Sequence, residues 1–400
     1  MSLRGAQGLW KRVLPPGVRA AAAPLAGQAV RALVHASGRA APPAPSGPLP
    51  IKVVGLLESS HGIGASARLA VRALESLGAW VEPVNLELGL DWRARLPGPT
   101  PAAAWIFHLN PPETPNALAS LGPRRVLGPR YGVWAWELPE APASWRTDAR
   151  LVDEVWAPSR YTAEAFKRLH RPVRVVPHPL FPEDYAGVQP LAKTAEFRAV
   201  ALFDFNSSAA RKNPEGAIEA FRRAFGDDPA CELVIKTQNG SAHPPALAAL
   251  RARAGDRVRI IDESWPYAEV KRLIAGADVL ISLHRAEGFG LVMAEAMALR
   301  VPVVATAATG NLDFMDETCG LLIPAGSVEV DDPQGVYRGQ TWAEPDIGAA
   351  AEALKRLRAQ PELRAALAEA GRRRVAERLS PKAWLSTLPE AVQAAVVSGR

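Results

Sequence analysis

The chain has 400 residues, 48% of them hydrophobic and 22% charged, which is too long for one ordinary core and predicts a soluble protein of two domains. No run of eighteen apolar residues occurs, so the sequence excludes a spanning helix. The net charge of +6 is local: the first fifty residues hold Arg4, Lys11, Arg12, Arg19, Arg31 and Arg39 and no acid, and the remainder balances at 41 cations against 41 anions. The body therefore lacks the basic, aromatic-interleaved face of a nucleic-acid binder. Cys231 and Cys319 sit in apolar, strand-like stretches without metal or redox spacing, as buried thiols of a reducing compartment.

Residues 1–50 are rich in Ala, Pro, Gly and Arg, a composition that favours a mobile, extended linker over a packed element. Within them, 9–14 and 29–34 have the pattern of basic amphipathic turns suited to an anionic lipid surface, against the plainer reading of a solvated leader. Pro15, Pro16, Arg19 and Pro24 interrupt any secretory core. Order is expected from an apolar strand at 51–57, followed by Gly62 and Gly64 in a strand-to-helix turn and a helix over 65–77. Strands at 80–84, 103–109, 131–137, 154–157 and 173–177 alternate with helices such as 159–169, the pattern of a parallel sheet covered on both faces. His108 lies at the end of the strand at 103–109, where open α/β sheets place ligand-binding groups, although a histidine there is also commonly structural. Trp134, Trp136, Trp145 and Trp156 offer either a platform for a sugar ring or core packing, and Glu137 beside them is a candidate acceptor-site carboxylate.

A second domain is expected to open on a strand at 198–205. The loop 204–214 then brings Arg211 and Lys212 to a helix start, where a cation can reach a diphosphate. Strands at 232–236, 258–261, 279–283, 301–305 and 320–323 follow, and a helix over 381–397 ends the chain. The strand at 279–283 runs through a short turn into Glu287-Gly288-Phe289-Gly290-Leu291 and an apolar helix. Gly288 and Gly290 let the backbone approach a ligand closely, and the helix start offers free N–H groups to an anion. Glu287 and Glu295 bracket that place as acceptors for neutral hydroxyls; the plainer reading makes them a dipole partner and a structural acceptor.

Glu-Gly-Phe-Gly-Leu at 287–291, followed by Glu295, resembles the Glu-x7-Glu motif of retaining nucleotide-sugar glycosyltransferases with the GT-B fold, family 4 in particular. The resemblance extends, with gaps, from about residue 51 to the end of the chain. It implies an α/β fold of two Rossmann-like domains whose parallel sheets face across a cleft. Residues 51–190 would form the acceptor domain, 191–380 the donor domain and 381–400 a helix crossing back, with 1–50 a flexible tail. It further implies that Gly62 and Gly64 face the diphosphate and acceptor, that His108 touches the transferred sugar, that Glu287 and the amides around Gly288, Phe289, Gly290 and Leu291 hold its hydroxyls, and that Glu295 holds the ribose. The Arg that usually precedes the family's Lys by five or six residues is replaced here by Ser207 and Asn206, so their hydroxyl and amide donors, or Arg211, must supply that diphosphate contact.

The expected activity is transfer, with retention, of a hexose from a GDP-, UDP- or ADP-linked donor to a carbohydrate or lipid-linked acceptor, in polysaccharide or glycoconjugate synthesis. Lys212, Glu287 and His108 are the expected catalytic residues. No cofactor is expected and, without an Asp-x-Asp, no metal. A sugar phosphorylase, a nucleotide-sugar epimerase and a non-catalytic sugar-binding protein are the competing readings. The expected place is the cytoplasm, with weak peripheral contact at the inner face of the membrane through the basic tail.

Overall fold

The computed structural model describes residues 16–38, 47–59 and 62–398. Two six-stranded parallel sheets organise them. The first is built from β1 (Ile51–Gly55), β2 (Val81–Asn85), β3 (Ala104–His108), β4 (Arg130–Val133), β5 (Glu154–Ala157) and β6 (Val173–Val175), in the order β2-β1-β3-β4-β5-β6. The second comprises β7 (Phe197–Leu202), β8 (Cys231–Thr237), β9 (Val258–Asp262), β10 (Val279–Ser282), β11 (Val303–Thr306) and β12 (Leu321–Ile323), in the order β9-β8-β7-β10-β11-β12. β1, β3 and β8 are buried at every position, as apolar strands covered by helices on both faces must be.

The strand order reverses beside β1 in the first sheet and beside β7 in the second, and ligands of open α/β sheets bind beyond the carboxyl ends of the strands at such points. In the first sheet Gly55 lies opposite His108 in register. In the second, Val200 lies opposite Leu280, so the loops that leave β7 and β10 emerge side by side.

Residues 16–36, read from composition as part of an extended tail, form the helix α1 (Pro16–Ala36). Val34 is 4% exposed and joins the apolar cluster of Trp105, Leu118 and Val126. Arg31 and His35 both bond Asp148, whose side chain is fully buried; the Arg31 Nε to Oδ1 distance is 2.7 Å. Ala-rich sequence favours the helix, and a buried carboxylate 117 residues away requires its cations. Composition does not report that requirement. The basic turn expected at 9–14 lies outside the described residues.

The C-terminal segment belongs to the first half of the molecule: Trp384, Leu388, Val392 and Val396 pack with Ile51, Val53, Ala70 and Ile106. It is two helices, Pro381–Leu385 and Glu390–Ser398, because Pro389 follows the first and starts the second. The strand expected over 131–137 stops at Val133. There the chain turns so that Trp134 meets Trp145 and Phe166 edge-to-face, with ring centroids 6.1 Å away in both cases. Trp156 stacks on Tyr131 at 4.7 Å. Three of the four tryptophans are thus core side chains, 0–5% exposed, and of these none is a free sugar platform.

Arg31→Ala should lower the unfolding free energy by about 1–3 kcal/mol, since a buried carboxylate would lose its charged donor. Denaturant unfolding reads this directly, and an unchanged midpoint would mean that α1 is not part of the cooperative fold.

Candidate active site

The loops that leave β7 and β10 meet in a buried cluster of charge. After β7 the chain makes one helical turn, Ala209–Lys212, and Asn213 takes the left-handed conformation at φ 53° before the helix Pro214–Phe225. The Asn213 side chain caps that helix through Gly216 N and donates to the Leu283 carbonyl at 2.9 Å, fastening this loop to the end of β10. Arg211, 3% exposed, donates to the Ala286 carbonyl at 2.8 Å and lies 3.5 Å from the Glu287 carboxylate. Lys212 pairs with the same carboxylate. Burial pushes the Glu287 carboxyl up, but Lys212 and Arg211 outweigh it and hold the group down at about 2. The cluster is therefore a charged one at neutral pH.

The backbone of the second loop is tied down on every side. Thr309 Oγ1 accepts from Glu287 N at 3.1 Å, and Thr306 Oγ1 donates to the His284 carbonyl at 2.7 Å. Gly290 sits at φ 97°, which favours glycine, and precedes the helix Leu291–Ala298, whose first N–H groups face out of the turn. From the first half of the molecule, Ser159 and Thr162 hydroxyls donate to the Gly288 carbonyl at 2.7 and 3.2 Å. A Cβ on Gly288 would come within 3.2 Å of the Trp136 carbonyl, so the two halves approach here backbone to backbone.

A hairpin of β13 (Ala325–Glu329) and β14 (Thr341–Pro345) covers the same corner. Its connecting loop places Asp332 on the Ser208 hydroxyl at 2.9 Å and Tyr337 on the Glu137 carboxylate at 2.9 Å. Burial lowers the Arg211 guanidinium's affinity for its proton, but Glu137 and Glu287 more than reverse this, so it stays charged. Glu137 is thus a second carboxylate, from the other half, acting on the cation pair.

Glu295 lies further along its helix, 8% exposed, with Tyr185 Oη 3.5 Å from Oε1. Burial pushes its carboxyl up to about 7, against the hydrogen bonds of Tyr267 and Tyr185. It shares no ion pair with Lys212 or Arg211, and is the carboxylate suited to neutral hydroxyls.

Of the residues singled out in the sequence, the structure brings Arg211, Lys212, Glu287, Gly288, Phe289, Gly290, Leu291 and Glu295 onto two adjoining loops and one helix. Ser207 is turned away: its hydroxyl donates to the Asp204 carbonyl at 2.8 Å and closes its own turn, whereas the Arg211 guanidinium is buried beside Glu287. Gly62, the first residue of α2 (Gly62–Ser76), is exposed with nothing near it, and its neighbours Ser60 and His61 lie outside the described residues. Gly64 has a packing reason, because a Cβ there would lie 2.5 Å from the Leu56 carbonyl. His108 is 4% exposed, and burial, then His178, pushes its imidazole down to about 3. Its Nδ1 lies 3.0 Å from Ser66 Oγ.

Sequence reasoning missed Ser66, His178, Tyr185 and Tyr337 as members of the site; Tyr267 lies in the segment 262–267 that the resemblance gives to the nucleotide base, and the structure sets it on Glu295. His178, between two prolines at the junction of the halves, had a recognisable signal; Tyr185 and Tyr337 had none, because only the fold carries them to the carboxylates. Among the described residues, no three His, Cys, Asp or Glu side chains are grouped as a metal site, and no helix is long and apolar enough to cross a membrane.

A family model described as glycosyl transferases group 1 matches residues 205–330, which include both loops of the charged cluster. No curated protein sequence matches the chain. Among solved structures, sucrose-phosphate synthase from Thermosynechococcus elongatus is 17% identical with a TM-score of 0.63, over 87% of this chain and 98% of that one. Anabaena HepE in complex with UDP and glucose is 14% identical at a TM-score of 0.60, over 86% of this chain and 100% of that one. A TarM mutant from S. aureus, in complex with fondaparinux, alpha-GlcNAc-glycerol and UDP, is 14% identical at 0.54, over 73% of this chain. This chain spans about half of TarM, 55% of its length. These likenesses show a common fold of two Rossmann-like halves, the GT-B fold.

The buried Glu295 gives a pH test with a definite sign. Its carboxyl is raised from 4.5 to about 7, so its contribution to stability is complete below about 4.5 and is lost as the pH rises through about 7. Glu295→Gln removes that titration, and the stability difference between parent and variant should change by up to about 3 kcal/mol between those limits. Denaturant unfolding at several pH values reads it; parallel profiles would mean that Glu295 does not titrate there.

Proposed function

Because residues 205–330 are a glycosyl transferases group 1 domain set in a GT-B fold, we propose that the protein is a retaining glycosyltransferase. It moves a hexose from a nucleoside-diphosphate donor to a carbohydrate hydroxyl, in the making of a polysaccharide or glycoconjugate. The observation that carries this reading is the convergence of Arg211 and Lys212 on one buried carboxylate at the carboxyl ends of β7 and β10. Breaking the bond between sugar and diphosphate leaves negative charge on the phosphates. Two fixed cations in a dry site stabilise that charge as it develops, without solvent reorganisation. They take the part that a divalent ion plays elsewhere.

Glu287 then exchanges partners. With the diphosphate on Lys212 and Arg211, its carboxylate turns to the donor-sugar hydroxyls, while the start of the helix Leu291–Ala298 adds N–H groups to the anion. Glu295 with Tyr185 and Tyr267 receives the ribose. UDP is the nucleotide to try first, because the HepE and TarM complexes contain it. The leaving phosphate takes the acceptor proton, since the flanking carboxylates are already engaged.

Incubation with a panel of nucleotide sugars, reading released nucleotide and transferred sugar, tests the activity. Lys212→Ala should lower turnover roughly a hundredfold to a thousandfold, with a smaller loss of donor affinity, because the interaction is strongest in the transition state. A variant that turns over at the parental rate would remove Lys212 from the mechanism. Glu287→Gln should behave oppositely in binding: nucleoside diphosphate binds more tightly, since the cations are no longer neutralised, while transfer slows. Calorimetry separates the two effects.

A further inference from the structure

Where the two halves join, Ser66 stands between two histidines. Its hydroxyl lies 3.0 Å from Nδ1 of His108, at the end of β3, and 3.1 Å from Nδ1 of His178, in the linker. The His178 ring packs edge-on against Phe289, centroids 4.9 Å apart, and Phe289 belongs to the same loop as Glu287 and Gly288. Burial holds both imidazoles low, at about 3 for His108 and about 4 for His178, so both are neutral at physiological pH.

Neutral imidazole has one N–H, and a hydroxyl has one hydrogen to donate. Ser66 can satisfy both neighbours only by accepting from one and donating to the other, which forces the two rings into opposite tautomers. The direction follows from the far nitrogens. Among the described residues His108 Nε2 is buried without a partner, and a buried orphan N–H is rarer than an under-used acceptor. His108 therefore keeps its hydrogen on Nδ1 and donates to Ser66, and Ser66 donates to His178 Nδ1. His178 is left with an Nε2–H, which has no acceptor among the described residues, on a ring that is only partly buried.

We propose that His178 is the substrate-facing imidazole at this junction, presenting its Nε2–H to an oxygen of the donor sugar, with Ser66 and His108 behind it as positioning residues. The proposal rests on the glycosyl-transfer reading and reassigns the contact expected of His108 to the histidine in the linker. The three bonds run in one direction, so each strengthens the next. The ring is braced on Phe289, two residues from Glu287 in the same loop, which limits its rotation.

Two measurements decide it. Imidazole 15N spectra of the unliganded protein, with His108→Gln and His178→Gln to assign the signals, should show His108 protonated at Nδ1 and His178 at Nε2. Both rings in one tautomer would overturn the relay, whether or not the protein transfers sugar. In turnover with UDP-glucose, or with the donor that the panel selects, His178→Ala should cost roughly tenfold, the worth of one neutral hydrogen bond to substrate. Ser66→Ala should cost several-fold, and adding it to His178→Ala should cost nothing more. Affinity for UDP alone should not change in any of these, which also reports an intact fold. Parental turnover in His178→Ala, or additive losses, would overturn the assignment. A parent protein without turnover on any donor would instead count against the glycosyl-transfer reading, leaving the tautomers to be read on their own.

Discussion

A carboxylate shielded from water must be paired, and in this protein the Glu287 carboxylate is satisfied by two cations from a loop 75 residues earlier. The pairing holds together the carboxyl ends of β7 and β10, the two strands at which the order of the second sheet reverses. Around it lie bonds that serve only to fix the participants: Asn213 to Leu283, Arg211 to Ala286, Thr306 to His284, Thr309 to Glu287. Each removes a freedom that the two loops would otherwise have. The result is a pair of cations with fixed positions and little water, the condition under which a diphosphate is bound strongly and its developing charge stabilised without reorganisation.

The first half of the molecule is built onto that cluster. Ser159 and Thr162 cap the Gly288 carbonyl, and Arg160 bonds Asp313 through its backbone N–H at 2.8 Å. Glu137 approaches Arg211 from the other side, held by Tyr337 on the covering hairpin. Two carboxylates, one from each half, thus neutralise two cations in the unliganded protein. Under the proposed function, an arriving diphosphate would meet charges already desolvated and already balanced, so its binding would be an exchange of anions rather than a burial of new charge. Glu295 takes no part in this exchange: burial pushes its carboxyl up against the hydrogen bonds of Tyr267 and Tyr185, while Lys212 and Arg211 hold that of Glu287 down.

The hairpin and the histidine junction show how the halves are kept in register. Arg285 forms a two-point ion pair with Glu344, Nε to Oε2 at 2.6 Å and Nη2 to Oε1 at 3.0 Å, joining the hairpin to the loop before Glu287. Gln340 then makes two hydrogen bonds to the backbone of Glu140, at 2.8 and 2.9 Å, joining the hairpin to the other half. The linker also joins the halves, through His178 and Phe289, and the Leu180 N–H donates to the Leu379 carbonyl at 2.6 Å. Both junctions end on residues 285–290.

The two parallel sheets follow from the sequence, because apolar runs of strand length separated by amphipathic helices admit few other arrangements, and the loop at 287–291 and the cations at 211 and 212 are located by their local pattern together with the resemblance of 287–295 to a known motif. Those are properties of contiguous residues. The sequence did not determine what depends on pairing at long range. The helix over 16–36 needed Asp148, 117 residues from Arg31, to tie its end down. Tyr337 reaches Glu137 across 200 residues, and Ser66 reaches His178 across 112. The sequence left open whether Ser207 and Asn206 or Arg211 lies with Lys212; in the fold the Ser207 hydroxyl closes its own turn and the Arg211 guanidinium is buried beside Glu287. The tryptophans at 134 and 145 likewise joined the core because their rings found Phe166, a partner that no local pattern names. Local chemistry thus fixes which elements form and which turns hold charge, and burial, which only the assembled chain creates, decides which of those charges face one another.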